Sequence, residues 1–211
     1  MESAEKSASR EKFVEKINKK FGNRSIFSMD ERLDFTEVKA LPTGSLALDL
    51  AIGVGGFPRG RIVEIYGPEA TGKSLLALSA IAQTQAMGGY AAYIDAEHAL
   101  TPNFAKLLGV NTSTLSYSQP DSGEKALTIM EEMIASSLYD IIVLDSVAAL
   151  VTEEEMTQVM GTFKIAPTAI LMAQALKRMT SLICKTGTVA VFINQLREKP
   201  LTMFGSPEYT P

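Results

Sequence analysis

From about Leu41 onward, short apolar runs alternate with longer stretches in which apolar residues recur every three or four positions. The short runs predict strands and the longer periodic stretches predict helices. This pattern places a strand at Arg61–Tyr66, a helix at Lys73–Met87 and a strand at Tyr90–Ile94. A short helix at Asn103–Leu108, stopping at Gly109, comes next, then a strand at Leu115–Ser118 and a helix at Gly123–Leu138. Asp140–Leu144 and Thr188–Asn194 are apolar and β-branched over most of their length, as in central strands buried on both faces. Between them Thr168–Lys185 reads as a helix closed by Gly187. Strand–helix alternation of this kind predicts an α/β fold, with a mostly parallel central sheet flanked by helices.

Both ends of the chain depart from that rhythm. Between Lys6 and Arg24 there are seven Lys/Arg against two acids, Glu11 and Glu15. Phe13, Val14, Ile17 and Phe21 recur there at helical spacing, which predicts one amphipathic helix ending near Gly22. Residues 1–33 are therefore set apart as a helical arm, and residues 34–211 as the core. The arm either folds back on its own domain or docks on a neighbouring subunit. Residues 152–167 and 196–211 carry no clear period and are expected to be irregular. Each follows the C-terminal end of a strand, where open α/β sheets bind their ligands. The chain stops within the second stretch, so a truncated protein lacking an edge strand or two is expected.

Composition narrows the classes. Of 211 residues, 46% are hydrophobic and 21% charged, which suits one globular core and excludes a disordered chain. No run approaches the roughly 20 apolar residues of a membrane span, and the polar N-terminus has no secretory character. One cysteine, Cys184, precludes an internal disulfide and points to a reducing cytoplasm. Its apolar neighbours predict a buried thiol. A single histidine, His98, excludes multi-histidine metal sites. The net charge of −4 argues against a nucleic-acid binder unless contacts come from local basic patches or from many subunits in an array.

The sharpest chemical signal is Gly67-Pro68-Glu69-Ala70-Thr71-Gly72-Lys73-Ser74, which fits G-x-x-x-x-G-K-S between a predicted strand and a predicted helix. Glycines at its ends let backbone N–H groups turn toward phosphate oxygens. Lys73 can set its ammonium on the β/γ-phosphates and Ser74 can offer a hydroxyl to magnesium, with the helix N-terminus adding its dipole. A bound nucleoside triphosphate, ATP with Mg2+, is the expected ligand. Asp145 ends a buried apolar run and is expected to hold the magnesium through water; the plainer reading is a cap for the following segment. Beyond the neighbouring strand, Glu97 is a candidate to orient and deprotonate attacking water, with Asp95 an equal alternative on residue type alone. Gln195 after Asn194 is either a γ-phosphate sensor or part of a polar cap on its strand.

These blocks together carry a family resemblance. Thr43-Gly44-Ser45-Leu46-Ala47-Leu48-Asp49, Gly60 to Ser74, Ile94-Asp95-Ala96-Glu97-His98-Ala99-Leu100 and Ser118-Gln119-Pro120-Asp121 resemble the bacterial RecA recombinases. So do Asp145-Ser146-Val147-Ala148-Ala149-Leu150, Phe192-Ile193-Asn194-Gln195 and Met203-Phe204-Gly205, so the likeness extends over nearly the whole chain. The resemblance implies a P-loop NTPase fold of RecA type and a DNA-dependent ATPase. Such a protein forms filaments on single-stranded DNA, pairs it with double-stranded DNA and promotes strand exchange in recombination, repair and the SOS response. It implies Glu97 as general base, Gln195 as sensor, Thr101 and Phe104 at the adenine, and the N-terminal helix as the subunit-docking arm. The two irregular stretches become DNA loops, making Lys164, Ile165, Arg197 and Lys199 candidate DNA contacts, and Lys177 in the helix after the first loop retains a positive charge at a further basic site.

Some positions depart from the family pattern. Thr101 stands where an acidic residue is usual and Phe104 where a tyrosine is usual. Thr162-Phe163-Lys164-Ile165-Ala166-Pro167 differs from the usual first loop, Ile170 replaces an arginine, and Pro200-Leu201 replaces an Ile-Gly pair. A divergent or truncated recombinase is the leading expectation. A hexameric helicase or regulatory ATPase on the same core, or an inactive filament-binding fragment, are the alternatives.

Overall fold

The computed structural model describes residues 2–22, 25–28, 38–158, 167–198 and 208–209. These fall into two compact units, Met1–Val38 and Lys39–Pro211. In the first, α1 (Glu2–Phe21) carries Lys19 and Lys20 in its last turn, cations suited to a helix C-terminus. Gly22, with φ of +103°, breaks it in a backbone region few other residues tolerate. The Asn18 side chain then ties the following segment down, donating to the Ile26 carbonyl (2.8 Å) and accepting from the Ile26 N–H (2.9 Å).

The second unit runs β1 (Ala40–Leu41), α2 (Leu46–Ile52), β2 (Phe57–Pro58), β3 (Ile62–Gly67), α3 (Lys73–Ala86), β4 (Ala91–Asp95) and α4 (Pro102–Leu107). It continues through β5 (Ser116–Ser118), α5 (Gly123–Ala135), β6 (Ile141–Asp145), a 3-10 turn at Val147–Ala149, α6 (Glu153–Thr157) and α7 (Pro167–Thr186). It closes with β7 (Val189–Gln195), β8 (Arg197–Glu198) and β9 (Glu208–Tyr209). Five strands form one parallel sheet in the order β3-β7-β6-β4-β5. The small pairs β1–β2 and β8–β9 are antiparallel.

Period-two alternation explains why the central strands read as unbroken apolar runs. Tyr93, Val143 and Val191 pack with Leu78 and Ile81 of α3 on one face. Ala92, Ile94, Leu144 and Phe192 pack with Met130 of α5 and Met179 and Ile183 of α7 on the other. With helices on both sides, every position of β4 and β6 is buried. The fold is thus the expected α/β type, with its parallel sheet flanked by helices. All five strand C-termini point the same way and carry Gly67, Asp95, Ser118, Asp145 and Gln195 to one edge.

Several expectations need correction. α5 stops at Ala135, short of Leu138, because Ser136 Oγ donates back to the Met133 carbonyl (2.6 Å) and Ser137 turns left-handed at φ +58°. Residues 152–167 are not wholly irregular. Thr152 and Glu155 form a reciprocal capping box that starts α6. Cys184 is exposed, not buried, and its Sγ lies 3.9 Å from Arg61 Nη1. Ile183 takes the inward face of α7, and its immediate neighbour in a helix points elsewhere. Among the described residues, no helix is long and apolar enough to cross a membrane.

Candidate nucleotide site

Helix α3 begins differently from its neighbours. Helices α2, α4, α5 and α6 are capped by the side chains of Ser45, Thr101, Ser122 and Thr152, each accepting an N–H of the first turn. At α3 the cap is Gly72, with φ of +90° and no side-chain cap bond. The first-turn N–H groups are therefore left for a ligand, and their dipole favours an anion. Ala70, at φ +58°, also takes the left-handed conformation, and Thr71 Oγ1 closes the loop on the Pro68 carbonyl at 2.8 Å. Lys73 donates to the carbonyls of Gly67 (3.0 Å) and Pro68 (2.6 Å), which hold its ammonium against the loop.

Opposite the loop lies Asp145, only 6% exposed. Its Oδ2 accepts hydrogen bonds from Ser74 Oγ (2.6 Å) and Tyr93 OH (2.5 Å). Burial pushes its carboxyl above the ordinary carboxylate range, against the pull of those two donors; Glu97 and Asp95 add to the rise. Tyr93 is raised in turn, first by burial and then by the charge of Asp145. The Asp145–Ser146 peptide bond is cis.

A carboxylate whose folded pKa exceeds its unfolded one binds its proton more tightly in the folded state. Its contribution to stability is therefore gained as pH falls through that window, and the burial cost is full above it. Asp145→Asn removes the charge while an amide oxygen can still accept from Ser74 and Tyr93. We expect this variant to unfold at a higher temperature than the parent at pH 7, in ligand-free protein followed by circular dichroism. A lower midpoint would contradict the burial cost assigned to Asp145.

Glu97 and Asp95 differ sharply in surroundings. Asp95, 1% exposed, is consumed by structure. It accepts from Tyr117 OH (2.7 Å), Gln119 Nε2 (3.4 Å), Leu100 N–H (3.1 Å) and Ala99 N–H (3.4 Å). It thereby fixes the turn that presents Glu97, while the N–H groups of Ala96 (2.7 Å) and Glu97 (3.2 Å) donate to the Asp145 carbonyl. Glu97 Oε1 accepts from Ser146 Oγ (2.5 Å) and Gln195 Nε2 (3.1 Å). Asn194 is buried and used structurally, donating to Glu64 Oε1 at 3.0 Å, which leaves Gln195 as the member of that pair facing the cleft.

Glu69, Ala70, Thr71, Gly72, Lys73, Ser74, Glu97, Phe104, Asp145 and Gln195 line one cleft of about 610 Å³, with Leu75 and Ile193. Gly67 and Pro68 serve it through the carbonyls that hold Lys73. Thr101 does not line it; its hydroxyl caps α4, accepting the Phe104 N–H at 3.4 Å. Of the candidate DNA contacts, Lys177 is exposed on α7. Lys164, Ile165 and Lys199, and the side chain of Arg197, lie outside the described residues. The sequence reading missed Tyr93, Ser146 and Tyr117. A hydroxyl within the otherwise apolar run Ala91–Ile94 was the available signal for Tyr93, since a buried phenol needs a partner.

The donor set suits Mg2+, which takes one or two carboxylates with phosphate oxygens and water and needs no dedicated protein cage. Ser74 and Asp145 supply a hydroxyl and a carboxylate, and the raised carboxyl of Asp145 would be relieved by a cation.

Known proteins resemble this chain over nearly its whole length. The family model for the RecA N-terminal domain matches residues 9–211. Protein RecA of Lactobacillus delbrueckii subsp. bulgaricus is 52% identical over 207 residues, 98% of this chain and 62% of the relative. Protein RecA of Bacillus subtilis is 50% identical over 208 residues, covering 99% of this chain and 60% of that protein. The chain thus spans about three fifths of the length of the curated relatives it matches.

Proposed function

Since this chain belongs to the RecA family, we propose that it is the ATP-binding core of a DNA recombinase. In this reading it hydrolyses ATP with Mg2+, forms helical filaments with other copies on single-stranded DNA in the cytoplasm, and pairs that DNA with a duplex for recombination and repair. The observation that carries the reading is the convergence of Lys73, Ser74, Asp145, Glu97 and Gln195 on one cleft beside an uncapped helix N-terminus.

Each residue then has a role set by its surroundings. Backbone N–H groups of the loop and of α3 bind the phosphates, and Lys73 leaves its carbonyl partners to neutralise charge on the β/γ oxygens. Ser74 and Asp145 would hold Mg2+, which supplies charge neutralisation on the phosphates. Glu97, steadied by Ser146, takes the proton from the attacking water. Gln195 links Glu97 to the segment after β7, so a γ-phosphate competing for its amide would be felt beyond the strand. Phe104 offers a ring for the base. Lys177 and the basic residues following β7 would meet the DNA backbone, a few contacts per subunit repeated along the array. The N-terminal helix is the arm that joins subunits.

Electron microscopy tests the assembly. Incubated with ATP, Mg2+ and single-stranded DNA, the protein should form helical filaments along the DNA. Closed rings would favour a helicase or regulatory ATPase on the same core.

A further inference from the structure

Two tyrosines repeat one geometry across the sheet. On β5, Tyr117 pairs in register with Tyr93 of β4, and its hydroxyl reaches diagonally to Asp95, two residues further along β4. On β4, Tyr93 pairs in register with Val143 of β6, and its hydroxyl reaches diagonally to Asp145, two residues further along β6. The rings stack with centroids 6.5 Å apart and planes 22° apart. Tyr93 is 1% exposed, so its hydroxyl cannot turn to bulk water. Packing alone at this position would be met by phenylalanine. What the phenol adds is the hydrogen bond of its hydroxyl to the Asp145 carboxylate.

We infer that Tyr93 is a positioning residue for the metal carboxylate of the nucleotide site, acting through Asp145. The inference rests on the reading of the cleft as an ATP–Mg2+ site. Tyr93 and Ser74 approach the same oxygen of Asp145, at 2.5 and 2.6 Å, from β4 and from α3. Two donors from different elements fix the carboxylate plane and satisfy Oδ2. What remains of the group's acceptor capacity is held ready for metal-bound water. With one donor gone, the carboxylate can swing about its own bond, and the cation finds it poorly placed. Losing an outer-shell partner of this kind lowers metal affinity by about 10- to 100-fold.

The test is a Mg2+ titration of the binding of a fluorescent ATP analogue, comparing the protein with Tyr93→Phe, which keeps the ring and its stack on Tyr117. The variant should need about tenfold more Mg2+ for half its effect, while its affinity for the analogue in EDTA stays unchanged. In an Asp145→Asn background, Tyr93→Phe should add nothing, because the group it positions is already lost. A Mg2+ midpoint within about twofold of the parent, or a further tenfold loss in the Asp145→Asn background, overturns the role of Tyr93. A parent protein that fails to bind the analogue, or binds it without any response to Mg2+, overturns the ATP-site reading and this inference with it.

Discussion

Lys73→Ala should lower ATP affinity by about 100-fold or more while leaving the fold intact. In the ligand-free protein the ammonium is held by two carbonyls of its own loop, so it needs only to exchange those partners for phosphate oxygens. A hydrogen bond to a charged group is worth about 1.5–3 kcal/mol, and two phosphates share this cation. Their combined loss of about 3 kcal/mol corresponds to roughly two orders of magnitude in Kd. The side chain lines the cleft and supports no core contact, so circular dichroism should show an unchanged fold. Calorimetric titration with ATP and Mg2+ checks the affinity. A Kd within a few-fold of the parent would mean that the loop does not grip phosphate as described.

Glu97→Gln is expected to separate binding from turnover. The amide oxygen can accept from Ser146 and Gln195 in place of Oε1, so the loop should keep its conformation and ATP should bind as before. The variant lacks a group able to take the proton from water. Losing a general base costs about 10²- to 10⁴-fold in rate, and single-turnover hydrolysis measures it directly. Hydrolysis at the parental rate would transfer the role elsewhere. Asp95 is a poor heir, because its four donors already occupy a buried carboxylate that shapes the turn.

The difference between these two acids shows where sequence reading reaches its limit. Residue type and position made Glu97 and Asp95 equal candidates on their own. The hydrogen bonds that mark Asp95 as structural include those of Tyr117 and Gln119, more than twenty positions away. Ser74, Tyr93 and Ser146 likewise meet their carboxylate partners across 71, 52 and 49 residues. No local period encodes such pairings; they follow from strand register once the sheet exists.

What was legible was local. The apolar runs Ile141–Leu144 of β6 and Val189–Ile193 of β7 report burial on two faces. The Gly-Lys-Ser ending of the phosphate loop announces a helix start that keeps its N–H groups free. The short helices α2 and α6 escaped because seven and five residues give too little period to register. Yet Thr152 and Glu155, three residues apart, carry a capping box that is visible in the sequence. The apolar neighbours of Cys184 in sequence do not bury it, because sequence neighbours do not share a helix face.

The most direct test of the whole account is the rate of ATP hydrolysis by the protein with and without single-stranded DNA. A DNA-dependent recombinase core predicts a low basal rate that rises severalfold or more on adding single-stranded DNA, and loses the rise in Glu97→Gln. Equal rates with and without DNA would contradict it, leaving an ATPase of this fold with a different task.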